Sequence, residues 1–377
     1  MKKISTLIII LVAATLATNA QPAVKVHQVK ERMSVAAQRL GQQKPNRITE
    51  EDMMAACPDS VVSWDTNGEG VLEPSFKSVY TYDAKKRIAT ETEYEWDDDE
   101  WEVLTKTTNT YEGDKLAYAM IEDSKDWFGT GKKKVSYTYD AAGRVTVELT
   151  QNVQSDGSLT DDYRHTYTYD AQGRLTEDLD ENWDGDNWKN SRKNVTTYEG
   201  EKAFTTEYVW QGSQGWGATD YYVIYTNAAG QMYREDDYEL DDETGEFAPT
   251  MVMELTYLSN GLPDLMTIKY DMGEGEMMEM GTAKYEYEYN AKGLPTKITT
   301  TTVIDYFGLF QDTTISVTRY YYGDGSHVDN AATEPVVTSR RFYGMDGKET
   351  TGANRGLYIV VTEYADGTRT TVKSVRK

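Results

Sequence analysis

The residues that most often catalyse reactions or bind transition metals are scarce in this 377-residue chain. It contains three histidines, His27, His165 and His327, and one cysteine, Cys57. No two histidines lie at zinc-ligand spacing, and a single thiol cannot form an intramolecular disulfide. The sequence shows neither a Cys–His nor a Ser–His–Asp pattern, and no phosphate-binding glycine loop. We therefore expect no catalytic residues of these classes and no zinc site. We expect Cys57 to be a small buried side chain.

Carboxylates are the abundant chemical group, with 63 Asp and Glu residues against 39 Lys and Arg. Two carboxylates suffice for a glycosidase, so a secreted carbohydrate-active enzyme is the alternative function that the composition leaves open. Carboxylates in turns and on alternating strand positions are, however, typical of solvated faces. The formal net charge of −24 disfavours nucleic acid and anionic lipid as partners and favours cations or basic partners.

Two aspartate-rich turns could bind calcium. The segment from Asp180 to Asn187 places several oxygen ligands close together, with Gly185 at the sixth position, and Asp97–Asp99 form a second cluster. A calcium loop needs ligands at fixed offsets, and Trp183 interrupts that pattern. An Asp-Gly hairpin turn explains the same residues without a metal. Calcium therefore stays open, and we expect no other cofactor.

Pairs of tryptophans flank several short polar turns. The two rings of a pair can pack across a hairpin and clamp it, and exposed rings could also stack on sugars and form a ligand platform. These pairs are Trp96 and Trp101, Trp183 and Trp188, and Trp210 and Trp216. The hairpin clamp is the simpler explanation of these pairs, and a ligand platform stays open; the predicted partner of the protein is a glycan or a protein at the cell surface.

A tyrosine followed by a turn recurs every 27 to 33 residues along most of the chain. Glycines such as Gly143 and Gly173 follow several of these tyrosines and supply the positive φ that a tight hairpin needs. The anchor tyrosines are Tyr82, Tyr111, Tyr139, Tyr169, Tyr198, Tyr225, Tyr257, Tyr289 and Tyr322. Nine anchors define eight repeat units of roughly thirty residues.

Within each unit the residues alternate with the period of two that is typical of β-strands. From Ile88 to Trp96, apolar, aromatic and Thr residues fall on one side and Ala and Glu on the other. Each unit therefore predicts two antiparallel strands, and an open sheet of that many strands curls or splits. We predict an all-β fold: a long antiparallel meander of about sixteen strands from eight hairpin repeats, curled or two-layered. Its Tyr- and Thr-rich faces lack the continuous apolar band of an outer-membrane barrel.

The ends of the chain differ from the repeats. Met1–Ala20 has a basic start, a short apolar run and small residues before the expected cleavage site, which is the pattern of a secretory signal. We predict a signal peptide at 1–20, a linker with a short helix at 21–75, the hairpin array at 76–328 and a small β module at 329–377. No later stretch is apolar enough to predict a transmembrane helix.

The segments TYDAAGR, from Thr138 to Arg144, and TYDAQGR, from Thr168 to Arg174, resemble the YD repeats of the Rhs and teneurin families. The resemblance covers Tyr80 to about Gly325. It implies hairpins that wind into a β spiral forming a shell. The chain has no room for the toxic domain of Rhs proteins, so that role is not implied.

The C-terminal tail resembles the sorting domain that is read by the type IX secretion system. The matching residues are RFYGMDGKE, from Arg341 to Glu349, and GLYIVVTEYADGTRTTVK, from Gly356 to Lys373. The resemblance implies recognition by that secretion machinery, export across the outer membrane and release or attachment at the cell surface. The alternating residues also predict a small terminal β module that caps the array.

The sequence as a whole predicts a secreted or cell-surface, non-catalytic β-repeat protein that binds a glycan or protein partner or acts structurally. The enzyme alternative would require one unit that breaks the pattern with converging carboxylates. An array binder would instead present the same surface on every unit.

Overall fold

The computed structural model describes residues 50–67, 70–97, 100–124, 131–241, 244–271, 276–305, 311–322, 337–344, 348–350, 356–364 and 369–376. These ranges contain one short helix, α1 (Glu50–Ala55), a single 3₁₀ turn at Gly212–Gln214, and two antiparallel sheets of eighteen and four strands. The predicted signal peptide, Met1–Ala20, lies outside the described residues. Among those described, no helix is long and apolar enough to cross a membrane.

The larger sheet contains strands β1 to β18. The first nine are β1 (Ser60–Thr66), β2 (Leu72–Tyr82), β3 (Ile88–Asp97), β4 (Glu100–Glu112), β5 (Lys115–Asp123), β6 (Lys132–Tyr139), β7 (Val145–Val153), β8 (Leu159–Tyr169) and β9 (Leu175–Trp183). The second nine are β10 (Trp188–Glu199), β11 (Lys202–Trp210), β12 (Trp216–Thr226), β13 (Met232–Leu240), β14 (Phe247–Tyr257), β15 (Pro263–Asp271), β16 (Met277–Tyr289), β17 (Pro295–Asp305) and β18 (Gln311–Tyr321).

This sheet closes into a barrel. Each strand pairs with the next strand along the chain, and β1 also pairs with β18, with Ser60 opposite Tyr321 and Asp65 opposite Ser316. The predicted all-β antiparallel meander is confirmed. The predicted curling is consistent with this barrel, whereas the predicted number of about sixteen strands is corrected to eighteen, with the first and last strands paired. Closure is favoured because it leaves no unpaired strand edge.

The first hairpin of the barrel begins earlier than the repeat pattern indicated. β1 carries the sequence SVVSWDT and lies inside segment 21–75, for which the sequence predicts a linker with a short helix. Its residues are mostly buried, and Val61 and Val62 are almost fully shielded from solvent. The short helix predicted before the repeats is present as α1.

Burial alternates along the strands and identifies the inner face of the barrel. In β11, Ala203, Thr205 and Glu207 are buried while the residues between them are more exposed. Because directly opposed residues of neighbouring strands share a face, this alternation can be followed from strand to strand. One apolar cluster gathers inward-facing residues of strands from β11 to β18 and of β1 and β2, which only the concave side of a closed sheet can bring together.

Helix α1 packs against this inner apolar cluster. Met53 and Met54 are 0% and 7% exposed and contact the cluster formed by residues such as Val61, Tyr222 and Tyr285. The cluster lies towards the barrel end that carries the tyrosine-anchored turns. Helix α1 therefore covers the apolar part of the inner wall at that end.

Each anchored turn is built in the same way. In the unit of Asp140, its carboxylate accepts hydrogen bonds from the backbone N–H and the Nε of Arg144, and Gly143 has a φ of 84°. The guanidinium of Arg144 lies 4.5 Å from the ring of Tyr169 in the next unit. Tyr169 in turn donates to the carbonyl of Val145 at 2.8 Å. The repeated tyrosine is thus a hydrogen-bonded tie between neighbouring hairpins.

The same tie recurs around the barrel, with two changes of detail. The tyrosine hydroxyls donate to a backbone carbonyl 23 to 27 residues earlier, in Tyr82, Tyr111, Tyr139, Tyr169, Tyr198, Tyr257, Tyr287 and Tyr322. At the eighth anchor Tyr287 makes this bond, whereas the sequence pattern indicates Tyr289. Tyr225 faces outwards and donates to the carboxylate of Asp236.

The C-terminal residues form a separate small sheet, as the sequence predicted. Its strands are β19 (Val337–Gly344), β20 (Glu349–Thr350), β21 (Gly356–Tyr364) and β22 (Arg369–Arg376), in the order β20-β19-β21-β22. β22 lies against β18. Arg369 and outer-face barrel residues, including Leu72, Ile315 and Val317, line one shared cavity of about 260 Å³.

Candidate binding surfaces of the barrel

The three tryptophan pairs lie on the outer face, at the end of the barrel opposite the tyrosine-anchored turns. Each pair consists of directly opposed residues of one hairpin. The ring centroids are 5.1 Å apart in Trp96–Trp101, and 5.2 Å apart in both Trp183–Trp188 and Trp210–Trp216. The interplanar angles of 71°, 59° and 71° are those of edge-to-face or tilted contacts, which stabilise a hairpin. The structure therefore places these side chains as hairpin clamps, and their predicted role as a ligand platform stays a prediction.

A basic side chain stacks on one ring of each tryptophan pair. Lys77 lies 4.7 Å from the ring of Trp101, and Arg164 lies 4.5 Å from that of Trp188. Lys193 lies 4.9 Å from the ring of Trp216. These cations occupy one ring face through cation–π contacts, and two of them also pair with outer-face carboxylates, Arg164 with Glu181 at 2.6 Å and Lys193 with Glu177 at 3.9 Å.

Two of the pairs belong to a set of aromatic side chains on the outer face of strands β9 to β14, which form three groups of ring contacts. Tyr221 forms a further group on the same face, since its ring lies 5.4 Å from Tyr238 and 5.7 Å from Phe247. Lys193 joins the rings of Tyr208 and Trp216. We define the outer aromatic band as Trp183, Trp188, Tyr208, Trp210, Trp216, Tyr221, Tyr238 and Phe247. Trp210 is its most exposed tryptophan, at 37%.

The pair formed by Trp96 and Trp101 lies outside this band. Trp101 packs against a second apolar cluster on the outer face, which includes Val62, Trp64 and Val317. Its ring is therefore part of the packing between the first strands and β18. Although the three pairs have the same pattern in the sequence, the pair of Trp96 and Trp101 has a different environment in the fold.

The inner wall holds a second cluster, around His165. Its Nδ1 lies 3.2 Å from a carboxylate oxygen of Asp180, its Nε2 lies 3.8 Å from Asp178, and its ring stacks on Tyr167 with centroids 4.3 Å apart. Asn194 donates to Asp178 at 2.9 Å. These residues come from neighbouring strands β8, β9 and β10, so the cluster is set by cross-strand register.

Burial in this inner cluster shifts the titration of its tyrosines. Burial, reinforced by the charge of Asp180, raises the pKa of Tyr163 well above its usual range. Burial together with the charge of Glu148 does the same to Tyr167. Both hydroxyls are therefore neutral at physiological pH, and they act there as hydrogen-bonding groups rather than as charges.

The two aspartate-rich turns have different surroundings. Asp180 faces inwards and contacts Arg192 at 3.3 Å, whereas Asp184 accepts hydrogen bonds from the backbone N–H groups of Asp186 and Asn187 in the hairpin turn. Asp180 and Asp184 are therefore not brought together as ligands of one loop. Of the second predicted cluster, Asp97 is described, and Asp98 and Asp99 lie outside the described residues.

Asp97 does form an acidic group with residues that the sequence analysis did not name. Three carboxylate oxygens lie within 4.8 Å of one another on the inner face of the β3–β4 hairpin, one each from Glu95, Asp97 and Glu102. Such a group can hold a divalent cation. The register of Glu95 opposite Glu102 creates it, and sequence spacing alone does not reveal that register.

The remaining candidate residues from the sequence are Cys57, His27 and His327. Cys57 is half-buried with a φ of 55°, between α1 and β1, and its sulfur lies 3.6 Å from the carbonyl oxygen of Ala55. His27 and His327 lie outside the described residues. The contacts of His165 were not foreseen, because its partners Asp178 and Asp180 face it only once β8 and β9 are placed in register.

Comparisons with known proteins give weak resemblances. No family model and no curated protein matches the sequence. A porin-like protein from Bacteroides uniformis is 14% identical, with a TM-score of 0.37, over 70% of this chain and 96% of that one. A porin-like protein from Bacteroides vulgatus is 10% identical, with a TM-score of 0.30, over 71% and 98%. A protein of unknown function from Bacteroides fragilis is 16% identical, with a TM-score of 0.29, over 31% and 87%. With such low TM-scores, these likenesses assign neither a family nor an activity.

Proposed function

We propose that this chain is a secreted or cell-surface, non-catalytic β-barrel protein that binds a glycan on its outer aromatic band. The observation that carries the proposal is that each of six neighbouring strands, β9 to β14, places aromatic side chains of that band on the outer face. Aromatic rings beside Lys and Arg side chains can stack on the apolar faces of sugars while the basic groups donate hydrogen bonds.

Several features of the outer face support a barrel that works in contact with water. Charged residues occupy outward positions halfway along many strands, for example Lys106, Lys134, Glu181 and Lys269. A lipid-facing barrel would carry an apolar belt at these positions. The signal pattern at the start of the chain and the sorting-like tail support export to the cell surface.

A glycan array tests this function, with the mature full-length protein screened in the presence and absence of calcium. Trp210→Ala should weaken binding of any glycan hit at least roughly tenfold, because an aromatic centre of a binding site contributes much of the affinity. Trp96→Ala is the matched control, since it removes a similar hairpin clamp outside the band. It should leave the affinity within roughly twofold of the original value.

The outcomes separate the alternatives. Binding that is unchanged in Trp210→Ala, or lost equally in Trp96→Ala, contradicts a site on the band, provided that circular dichroism shows both variants folded. The absence of any glycan hit under all conditions contradicts sugar binding. Release of reducing ends from a glycan hit would instead support the carbohydrate-active enzyme, for which Asp180→Asn is the first variant to assay.

A further inference from the structure

The inner wall of the barrel is strongly acidic beyond the apolar end that α1 covers. Inward-facing carboxylates include Asp65, Glu91, Glu93, Glu95, Glu102, Glu148, Asp178, Asp180, Glu207, Asp220, Glu235 and Asp237. Among the described strand residues of the barrel, the inward-facing Lys and Arg are Lys133, Lys189 and Arg192. A wall with one sign of charge inside a low-dielectric shell attracts groups of the opposite charge.

Buried acceptors on this wall point to a donor-bearing occupant. Asn194 is 8% exposed, and while its amide nitrogen donates to Asp178, its Oδ1 has no hydrogen-bond donor within the described ranges. The Nε2 of His165 is also buried without a hydrogen-bond partner there. Both groups face the interior, next to Asp178 and Asp180. Buried polar atoms are normally satisfied, so this part of the wall is suited to an occupant that supplies N–H groups.

The sequence directly before α1 contains such donor groups. Met53 and Met54 of α1 pack on the inner wall, so the described part of the chain begins, at Glu50, with a helix that contacts the inner face of the barrel. Residues 21–49, which lie outside the described ranges, contain six basic residues and one acidic residue, Glu31. The basic residues are Lys25, Lys30, Arg32, Arg39, Lys44 and Arg47. An extended chain rises about 3.3 Å per residue, so this segment is long enough to run along any strand of the barrel.

We propose that the basic segment from Lys25 to Arg47 occupies the acidic interior of its own barrel. The segment is covalently tethered beside the wall, which gives it a high effective concentration there. Its guanidinium and ammonium groups supply the donors that the inner acceptors need. The interior is then filled by the protein itself, and external ligands are directed to the outer face.

Limited proteolysis of the full-length mature protein tests this proposal. Trypsin cleaves after Lys and Arg, so a segment held inside the barrel should be cut slowly at Lys30, Arg32 and Arg39. The double variant Asp178→Asn/Asp180→Asn removes two inner charges without changing side-chain shape. Cleavage at these sites, followed by mass spectrometry, should become at least roughly tenfold faster, because buried ion pairs matter more than exposed ones.

Strand β9 offers a matched control, because its residues alternate between the two faces. Glu177→Gln/Glu181→Gln removes two charges from the outer face of the same strand and should leave the cleavage rate within roughly twofold of the original. Rapid cleavage of the unmodified protein, at the rate of a synthetic peptide of residues 25–47, would overturn the proposal. Equal acceleration of cleavage in both double variants would also overturn the proposal. A third contradicting outcome is slow cleavage of the unmodified protein and of both double variants, combined with stoichiometric binding of spermidine that depends on Asp180.

Discussion

The repeated Tyr-Asp-x-x-Gly-Arg motif is explained by one residue-level network. The aspartate orders its own turn and holds the arginine four positions later, as in Asp83 with Arg87 and Asp170 with Arg174. The arginine then covers the ring of the next anchor tyrosine, at 3.9 Å for Tyr111. Each motif therefore ties its hairpin to the following one. This accounts for the spacing of the repeats without a ligand or a catalytic role.

This network makes the contribution of Asp140 dependent on pH. The backbone N–H and the side chain of Arg144 hold the pKa of Asp140 below its usual range. A carboxyl whose pKa is lowered by folding stabilises the fold above its unfolded pKa and loses this effect as the pH falls through the folded value. Asp140→Asn should therefore lower the free energy of unfolding more at pH 7 than at pH 3, as measured by urea denaturation.

A carboxyl that is exposed in another turn gives the control for this prediction. Asp186→Asn changes a residue whose backbone N–H donates to Asp184, in a described turn (184–187) that contains no arginine. Its effect on the free energy of unfolding should differ little between the two pH values. If Asp140→Asn shows the same small difference, the carboxylate of Asp140 does not act through the turn network.

At the scale of the turn, one unit departs from the glycine rule. Lys86 has a φ of 61° at the position where Gly143 and Gly173 have 84°. A side chain in this left-handed region costs about 1–2 kcal/mol, whereas glycine adopts it freely but loses more chain entropy on folding. The first turn is therefore strained relative to its repeats.

Lys86→Gly should relieve this strain. We expect the free energy of unfolding to rise by about 0.5–1 kcal/mol, as the left-handed penalty outweighs the entropy cost of glycine. Lys292→Gly, directly before Gly293 in an equivalent turn, should instead lower it by a similar amount. Chemical denaturation of both variants measures the two effects, and a loss of stability in Lys86→Gly would show that the lysine makes contacts worth more than its strain.

The strands and turns could be predicted from the sequence because their signals are local. Alternation from Ile88 to Trp96, the turn glycines and the opposed tryptophans all depend on residues close together in the chain. β1 was missed because it precedes the first anchor and its apolar run does not alternate. The inner contacts of His165 and the grouping of Glu95 with Glu102 depend on register across strands, which local patterns leave open.

At the scale of the whole molecule, closure of the sheet is the feature that local reasoning could not supply. It depends on pairing between β1 and β18, about 250 residues apart in the chain. Closure also turns a repeated acidic strand face into the wall of one enclosed space. Whether carboxylates face bulk water or a shared interior is a property of the barrel, and no single hairpin carries that information.

The outer face also depends on the whole molecule, since one apolar patch of the barrel lies beside the C-terminal sheet. Val62 and Trp64 are 0% and 1% exposed although they face outwards, and they pack with Leu72, Ile315 and Val317. Because β22 lies against β18 and shares a cavity with this patch, we infer that the small sheet shields it. Exposed apolar patches of this kind promote association between chains.

Removal of residues 331–377 should therefore leave a folded barrel with a newly exposed apolar patch. We expect unchanged β content by circular dichroism, increased binding of a hydrophobic dye, and self-association in analytical ultracentrifugation that the full-length chain does not show. Adding Ile315→Thr and Val317→Thr to the truncated chain should reduce both dye binding and association, because the patch then carries hydroxyl groups. A truncated chain that stays monomeric without binding dye would mean that the barrel buries this patch by itself.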